Sequence, residues 1–373
     1  VIIEIGLLLL GVSYLGLILG MRWGWIRIPQ VPEHTGDWPM VSIIIAARNE
    51  AHQIGRTLDA LLQQDYPADK MQILVIDDHS TDGTAQVVLH YTDPRIQLHV
   101  WDTPEVLNSY KKRAIAHAIS QSKGDWIITT DADCRMGKRW LRKLMSYSAQ
   151  EEVKMISAPV AYHEEKTLFE RLQSLEFLYL IGLGAAAIGL GKASTCNGAN
   201  LAYRKESFLA VGGFQGIDHL ASGDDELLLH KIEAKYPGSI RFCKDPDAIV
   251  CTDAKPTLRS FLQQRKRWAS KSTQYRNKKM VGLGVGVWLY NLLLLLMSVY
   301  AVFQPSYLPF VLLLWAGKMI AEFLFLYPIT SFVQRKELRP LVFLLSPIHV
   351  LYMVYIGVAG QFGSYEWKGR SVR

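Results

Sequence analysis

The sequence predicts an α/β domain with a mostly parallel sheet covered on both faces, carried on a membrane by about four hydrophobic segments. Three observations predict it. Between Val41 and Tyr147, short apolar runs alternate with amphipathic ones; long apolar stretches flank this middle; and paired carboxylates recur just after its apolar runs. The 373 residues leave room for one buried domain of roughly 200 to 250 residues plus a few membrane spans.

Ile2 to Leu19 is long and apolar enough to span a bilayer, with Glu4 near one end. It has no basic n-region and no Ala-x-Ala-like cleavage site, and it runs into Met21-Arg22-Trp23-Gly24-Trp25, a mixture suited to an interface. A retained transmembrane helix over residues 1–22 is therefore expected, with the following chain in the cytosol.

From Val41 the predicted strands and helices alternate: Val41 to Ala47 then Ile54 to Leu62, Gln72 to Ile76 then Thr84 to His90, Ile96 to Trp101 then Arg113 to Ile119, Trp126 to Thr130 then Trp140 to Tyr147. Fully apolar short strands imply burial on both faces, as in parallel sheets. Ligands of such sheets bind beyond the carboxyl ends of the strands, where Asn49, Glu50, Asp77, Asp78, Asp131 and Asp133 fall. The soluble domain is expected over residues 38–255.

Leu168 to Leu190 is apolar but interrupted by Glu170, Arg171 and Glu176, which suits a helix lying along the membrane surface or buried in a core. Residues 256–279 read as an interfacial helix, with Leu258, Phe261, Leu262 and Trp268 opposite many cations. Within 280–364, Val281 to Phe303, Leu308 to Tyr327 and Leu341 to Phe362 read as three membrane segments. Arg335, Lys336 and Arg339 place the loop before the last segment in the cytosol. That segment either spans, or is broken by Pro347 into a re-entrant hairpin. Lys318 and Glu322, four apart, either pair or line a lipid path; pairing is the expectation.

The net charge of +7 collects beside the hydrophobic segments, at Arg22, Arg27, Arg265, Lys266, Arg267, Lys271, Arg276, Lys278 and Lys279. Such flanks favour a cytoplasmic face and anionic headgroups, and without interleaved aromatics they do not describe a nucleic-acid surface. Cys134, Cys196, Cys243 and Cys251 are too widely spaced for a Cys-x-x-Cys site.

Asp131-Ala132-Asp133 presents two carboxylates at a strand end, a set that holds a hard divalent cation when phosphate and water fill the remaining positions. Asp77 and Asp78 suit a nucleoside's ring nitrogen and ribose hydroxyls, while Ser80 or Asp82 suits a helix cap. In Gly223-Asp224-Asp225-Glu226 the acids either complement a helix N-terminus or supply a general base. Gln264, Arg267 and Trp268 share one helix face, with groups suited to sugar hydroxyls, a diphosphate and a ring face.

Together these motifs resemble the membrane-bound branch of the family-2 glycosyltransferases, across roughly Val41 to Gln274. The resemblance implies a GT-A (Rossmann-like) fold, a nucleotide-sugar donor (usually a UDP-sugar), Mg2+ or Mn2+, and inverting transfer. Ala47-Arg48-Asn49-Glu50 and Asp77-Asp78 match its nucleoside loops, and Lys111 a lysine facing the diphosphate. Asp131 and Asp133 match its metal- and donor-holding Asp-x-Asp, Asp225 its catalytic base, and Gln264, Arg267 and Trp268 its Gln-x-x-Arg-Trp. The acceptor side would take Asn197, Gly198, Asp224 and Trp268. One departure is Ala116-His117, where many members have an Asn after the lysine.

The expected activity is hexosyl transfer to a lipid hydroxyl at the cytoplasmic face of a bacterial-type inner (plasma) membrane, with membrane lipids as neighbours. The alternative is a processive synthase extending a growing polysaccharide. A non-catalytic receptor would not require every acid of the set, and a transporter would require more intramembrane charge.

Overall fold

The computed structural model describes residues 2–101, 109–220, 222–270, 275, 278–360, 365–367 and 370–372. Lys271, Arg276, Lys368 and Arg373 lie outside them. Two compact units divide the chain, one made of Arg27–Glu164, Ala187–Asp253 and Glu366–Arg373, the other of Val1–Ile26, Glu165–Ala186 and Ala254–Tyr365.

After an N-terminal helix α1 (Ile2–Arg27), the first unit is built on β1 (Val41–Ala47), α2 (Ile54–Leu62), β2 (Met71–Asp78), α3 (Thr84–Leu89), β3 (Ile96–Trp101), α4 (Tyr110–Gln121) and β4 (Trp126–Asp131). It continues through β5 (Arg135–Met136), α5 (Trp140–Met145), β6 (Met155–Ser157) and β7 (Val160–Tyr162). The long helix α6 (Leu168–Gly189) then leads to β8 (Leu201–Arg204), α7 (Lys205–Ala210), α8 (Glu226–Lys235), β9 (Ile240–Phe242) and β10 (Val250–Thr252).

Seven strands run in the order β3-β2-β1-β4-β8-β6-β9, and β5-β10-β7 make a second sheet. β3, β2, β1 and β4 are parallel throughout, while β8 is antiparallel to both β4 and β6. All eight residues of β2 are buried, as a strand covered on both faces requires. Ala47 lies opposite Asp77 and Ala46 opposite Asp131, so the strands deliver their terminal acids on one edge, offset by a single residue.

The opposite edge is closed by polar side chains buried inside the sheet. Ser42 Oγ donates to Gln72 Oε1 at 2.7 Å and accepts from Gly124 N at 2.9 Å; Gln72 Nε2 donates to Gln97 Oε1 at 3.1 Å. Each group finds a partner, which is the condition for burying it. Gly124 lies so close to β1 that a Cβ there would sit 2.4 Å from Ser42 N and 2.6 Å from the Val41 carbonyl carbon.

The second unit gathers α1, most of α6, α9 (Leu258–Ala269), α10 (Lys278–Phe303), α11 (Leu308–Phe332) and α12 (Leu341–Ala359). Five helices among the described residues are long and apolar enough to cross a membrane: α1, α6, α10, α11 with the turn before it, and α12. Many large apolar side chains on these helices are exposed, among them Leu9, Val12, Val302, Phe303, Leu312 and Leu351, as helices solvated by lipid require.

Three details sharpen the expectations. Helix α6 is one of these five and is largely buried, its Glu176 accommodated by pairing with Arg265. Helix α12 runs unbroken through Pro347, so the hairpin alternative is not what forms. Lys318 and Glu322 do pair.

Gly124→Ala is expected to lose about 2 kcal/mol or more of stability, because backbone cannot yield as a flexible side chain can. Gly137→Ala, where nothing lies within 4 Å, is the control and should stay within about 0.5 kcal/mol. Thermal denaturation of the two detergent-solubilised variants reads the difference; equal midpoints would mean that β1 is not pinned at Gly124.

Candidate active site

The loops after β1 and β2 are sewn to each other. Arg48 donates to the carbonyls of Asp78 and His79 at 2.9 and 2.7 Å. Asn49 Oδ1 accepts from Thr81 N at 2.8 Å, and Asn49 N donates to Ser80 Oγ at 3.0 Å. Glu50 N donates to Thr84 Oγ1 at 2.8 Å, and Asp77 Oδ1 accepts from Ser80 N at 3.2 Å. Asn49 and His79 both adopt left-handed backbone, φ 52° and 57°, which the two loops need in order to turn outward. Asp77 and Asp78 are buried, and Asp78 contacts His79 Nδ1 at 2.7 Å.

The N-cap position of α3 is Gly83, and Asp82 rather than Ser80 meets the first helical N–H from just before it. Asp82 accepts from Thr84 N, Thr84 Oγ1 and Ala51 N, at 3.0, 2.5 and 3.1 Å. Those bonds outweigh the opposing effect of burial and hold its carboxyl below the usual range.

At the next strand tip the acids converge. Lys111 of α4 puts Nζ 2.8 Å from Asp131 Oδ1 and 3.4 Å from Asp224 Oδ2. Burial alone would lower the ammonium's pKa, but Asp131, Asp224 and Asp225 together raise it above the ordinary lysine range. Asp225 Oδ1 accepts from Glu226 N at 2.7 Å and Oδ2 from Gly198 N at 3.0 Å. Asp225 therefore caps α8 and also ties that helix to the Asn197-Gly198 loop. Gly198 is fixed from behind by Thr129 Oγ1, which donates to its carbonyl at 2.8 Å, and Asn197 Oδ1 accepts from Ala199 N at 2.9 Å.

Two more residues hold this arrangement, Lys112 and Asn200, the latter the end of the Asn197-Gly198-Ala199-Asn200 stretch that resembles the family's acceptor-side loop. Lys112 is 2% exposed and donates to the carbonyls of Leu220 and Ser222 at 2.5 and 2.7 Å, fixing the approach to Asp224. Asn200 accepts from Trp140 Nε1 at 2.9 Å and donates to the carbonyls of Pro159 and Ala248, bracing the loop's far side. Lys112 stands next to Lys111 in sequence, and its two carbonyl partners show that it is buried.

Among the described residues no group of three or more His, Cys, Asp or Glu side chains is arranged to hold a metal unaided. Asp131 and Asp133 fit instead a hard cation that takes one or two carboxylates and completes its shell with phosphate and water. Cys134, whose Sγ lies 3.8 Å from Asp133 Oδ1, does not compete. Burial, then the charges of Asp133 and Asp131, push its thiol well above the usual range.

Gln264, Arg267 and Trp268 lie on α9, in the helical unit. Its buried side carries Phe261 and, unexpectedly, Arg265, 2% exposed, whereas Leu258 is 59% exposed. Arg265 donates to both carboxylate oxygens of Glu176, at 3.1 and 2.5 Å, and to Gln264 Oε1 at 2.6 Å. Its guanidinium lies 4.2 Å from the Trp268 ring centroid, and Trp268 packs on Phe177 at 5.8 Å. Gln264 and Trp268 are thus held by the residue between them.

The chain resembles known proteins over much of its length. The family model "Glycosyl transferase family 2" matches residues 42–212. Glycosyltransferase AglE of Haloferax volcanii is 28% identical over 224 residues, 60% of this chain and 69% of that protein. The beta-monoglucosyldiacylglycerol synthase of Synechocystis sp. is 26% identical over 249 residues, 65% of this chain, and the match spans only 51% of the synthase. A mannosyltransferase from Pyrobaculum calidifontis, solved with GDP-Man and Mn2+, superposes with a TM-score of 0.59 at 21% identity, covering 96% of this chain and 98% of the other. The last likeness shows the fold, which is GT-A.

A Cβ on Gly198 would lie 3.3 Å from both Asp224 Oδ2 and Asp225 Cβ. Gly198→Ala is expected to displace the two acids by a few tenths of an ångström and to lower sugar transfer roughly tenfold. The thermal midpoint should hardly move. Wild-type turnover would show that this close approach is not part of the site.

Proposed function

Because residues 42–212 are a glycosyl transferase family 2 domain, we propose that the chain is an integral membrane, inverting hexosyltransferase. It moves a sugar from a nucleotide-sugar donor, a UDP-sugar in the first instance, to a lipid hydroxyl at the cytoplasmic face of the membrane. One observation carries the reading: Lys111 links Asp131, on the donor side, to Asp224, next to the candidate base Asp225.

In this mechanism the acceptor oxygen attacks the anomeric carbon from the face opposite the leaving group while Asp225 takes the hydroxyl proton. The bond from anomeric carbon to diphosphate oxygen breaks, and the nucleoside diphosphate departs with the electron pair. The new glycosidic bond has inverted configuration. Asn49, Glu50, Asp77 and Asp78 hold the nucleoside. Lys111 faces the diphosphate, and Gln264, Arg267 and Trp268 complete the donor and acceptor contacts. Mg2+ or Mn2+, held by Asp131 and Asp133 when bound, would neutralise charge on the diphosphate. These groups accelerate the reaction to the extent that they meet charge that grows on the way to the transition state.

A lipid acceptor is supported by the five apolar helices and by the lipid-modifying relative. The Gln264-x-x-Arg267-Trp268 motif favours a second reading, processive extension of a polysaccharide. Labelled products separate the two: an organic-soluble discrete species for the lipid, high-mass aqueous polymer for the chain.

Asp225 is both cap and candidate base, so the informative substitution keeps the first role. Serine still caps α8 but has no carboxylate. Asp225→Ser should retain folding and nucleotide-sugar binding while transfer falls about 10²- to 10⁴-fold. Turnover within a few fold of wild type would remove Asp225 from the role.

Chelation with EDTA is expected to abolish transfer, and Mn2+ or Mg2+ to restore it. Release of free nucleotide diphosphate, screened over UDP-sugars and GDP-mannose, measures both metal and donor. Undiminished activity in chelator would reject the cation at Asp131 and Asp133.

A further inference from the structure

The helical unit holds a second polar cluster, of which the proposed transfer reaction uses only the Glu176–Arg265 pair that holds Gln264 and Trp268. Glu322 on α11 pairs with Lys318 one turn earlier, accepts from Tyr14 Oη of α1 at 2.6 Å, and accepts from Ser346 Oγ of α12 at 2.7 Å. Glu176 on α6 pairs with Arg265. Both carboxylates line a cavity of about 10 Å³, together with Ser346 and His349 and, on its apolar part, Leu326 and Leu345. His349 is 9% exposed, and its Nε2 has no hydrogen-bond partner.

Size, charge and hydrogen-bonding capacity each narrow the occupant. The volume holds about one non-hydrogen atom, which excludes a sugar ring or a phosphate. Each carboxylate already has its own cation, so the lining calls for no ion, and an anion would meet two carboxylates at close range. Nε2 donates in one imidazole tautomer and accepts in the other. A hydroxyl meets it in either state and can still donate to a carboxylate oxygen. The leucines suit a carbon attached to that oxygen.

We propose that this cavity is a binding site for a single neutral hydroxyl group, brought by a lipid alcohol or by one water molecule. The site is independent of the transfer reaction and stands whichever acceptor that reaction uses.

The full chain, purified in detergent, is incubated with diacylglycerol, which carries one hydroxyl, or triacylglycerol, which carries none. Native mass spectrometry reads the bound lipid. Retention of diacylglycerol about fivefold above triacylglycerol, the ratio one net hydrogen bond gives, supports the site with a lipid source if His349→Phe abolishes the preference. A preference that survives His349→Phe overturns it.

With no lipid preference, the thermal midpoint decides. A fall of about 2 °C or more in His349→Phe supports a bound water whose bond has been lost. A midpoint unchanged or raised overturns the proposal, because phenylalanine then only removes an unmet nitrogen. Should His349→Phe not fold, Leu345→Phe fills the cavity from its apolar part: a lowered midpoint means an occupant was displaced, a raised one that the cavity was empty.

Discussion

Three carboxylates crowd the tip of β4 and the start of α8, and the Lys111 ammonium makes their proximity tolerable. Without it, Asp131, Asp224 and Asp225 would repel one another and push apart the loops that bear them. With it, segments about a hundred residues apart in sequence are drawn to one point. The remaining contacts of the site serve that arrangement. Lys112 fixes the loop before Asp224, Thr129 fixes Gly198 behind Asp225, and the register of β1 with β2 and β4 sets the height of Asp77 and Asp131.

Lys111 meets Asp131 at 2.8 Å and Asp224 at 3.4 Å. In the proposed reaction a hard cation and a diphosphate would bring charges of both signs to these groups. The cation would offset the acids and the diphosphate would offset the cation and Lys111, so under the proposed function donor and cation bind cooperatively.

How much of this was legible in sequence depends on how local the cause was. The strands β1 and β3 and the helix α2 could be read to the residue, because strand-like runs rich in β-branched and aromatic residues alternate with an amphipathic helical pattern and turn residues separate them. The acids at the strand ends were legible for the same reason: position along a strand fixes the edge. The partners were not. That Lys112 is buried, that Arg265 and not Leu258 faces inward on α9, and that Glu176 sits comfortably inside α6 all depend on residues elsewhere in the chain. Periodicity ranks side chains by polarity and therefore assigns a charged residue to the outside. Pairing reverses that assignment, and pairing is a tertiary fact. Pro347 is a related case, since a proline inside an apolar helix reads as a break until neighbouring helices are present to hold the helix together.

Both units thus use opposite charges to join distant segments, but at different depths, and depth decides what the pair can do. Lys111 and Asp131 are 21% and 41% exposed, whereas Lys318 and Glu322 are 1% and 5%. Near solvent, the Coulomb attraction is screened and separating the partners costs little, so a ligand can exchange with either. Deep among apolar helices, separating the partners strands an uncompensated charge, so the pair persists; Lys318 and Glu322 both lie on α11, and the bonds of Tyr14 and Ser346 to Glu322 tie α11 to α1 and α12. The Glu176–Arg265 pair, 3% and 1% exposed, is of the second kind. It holds α9 to α6 and, through Arg265, holds Gln264 and Trp268 in place.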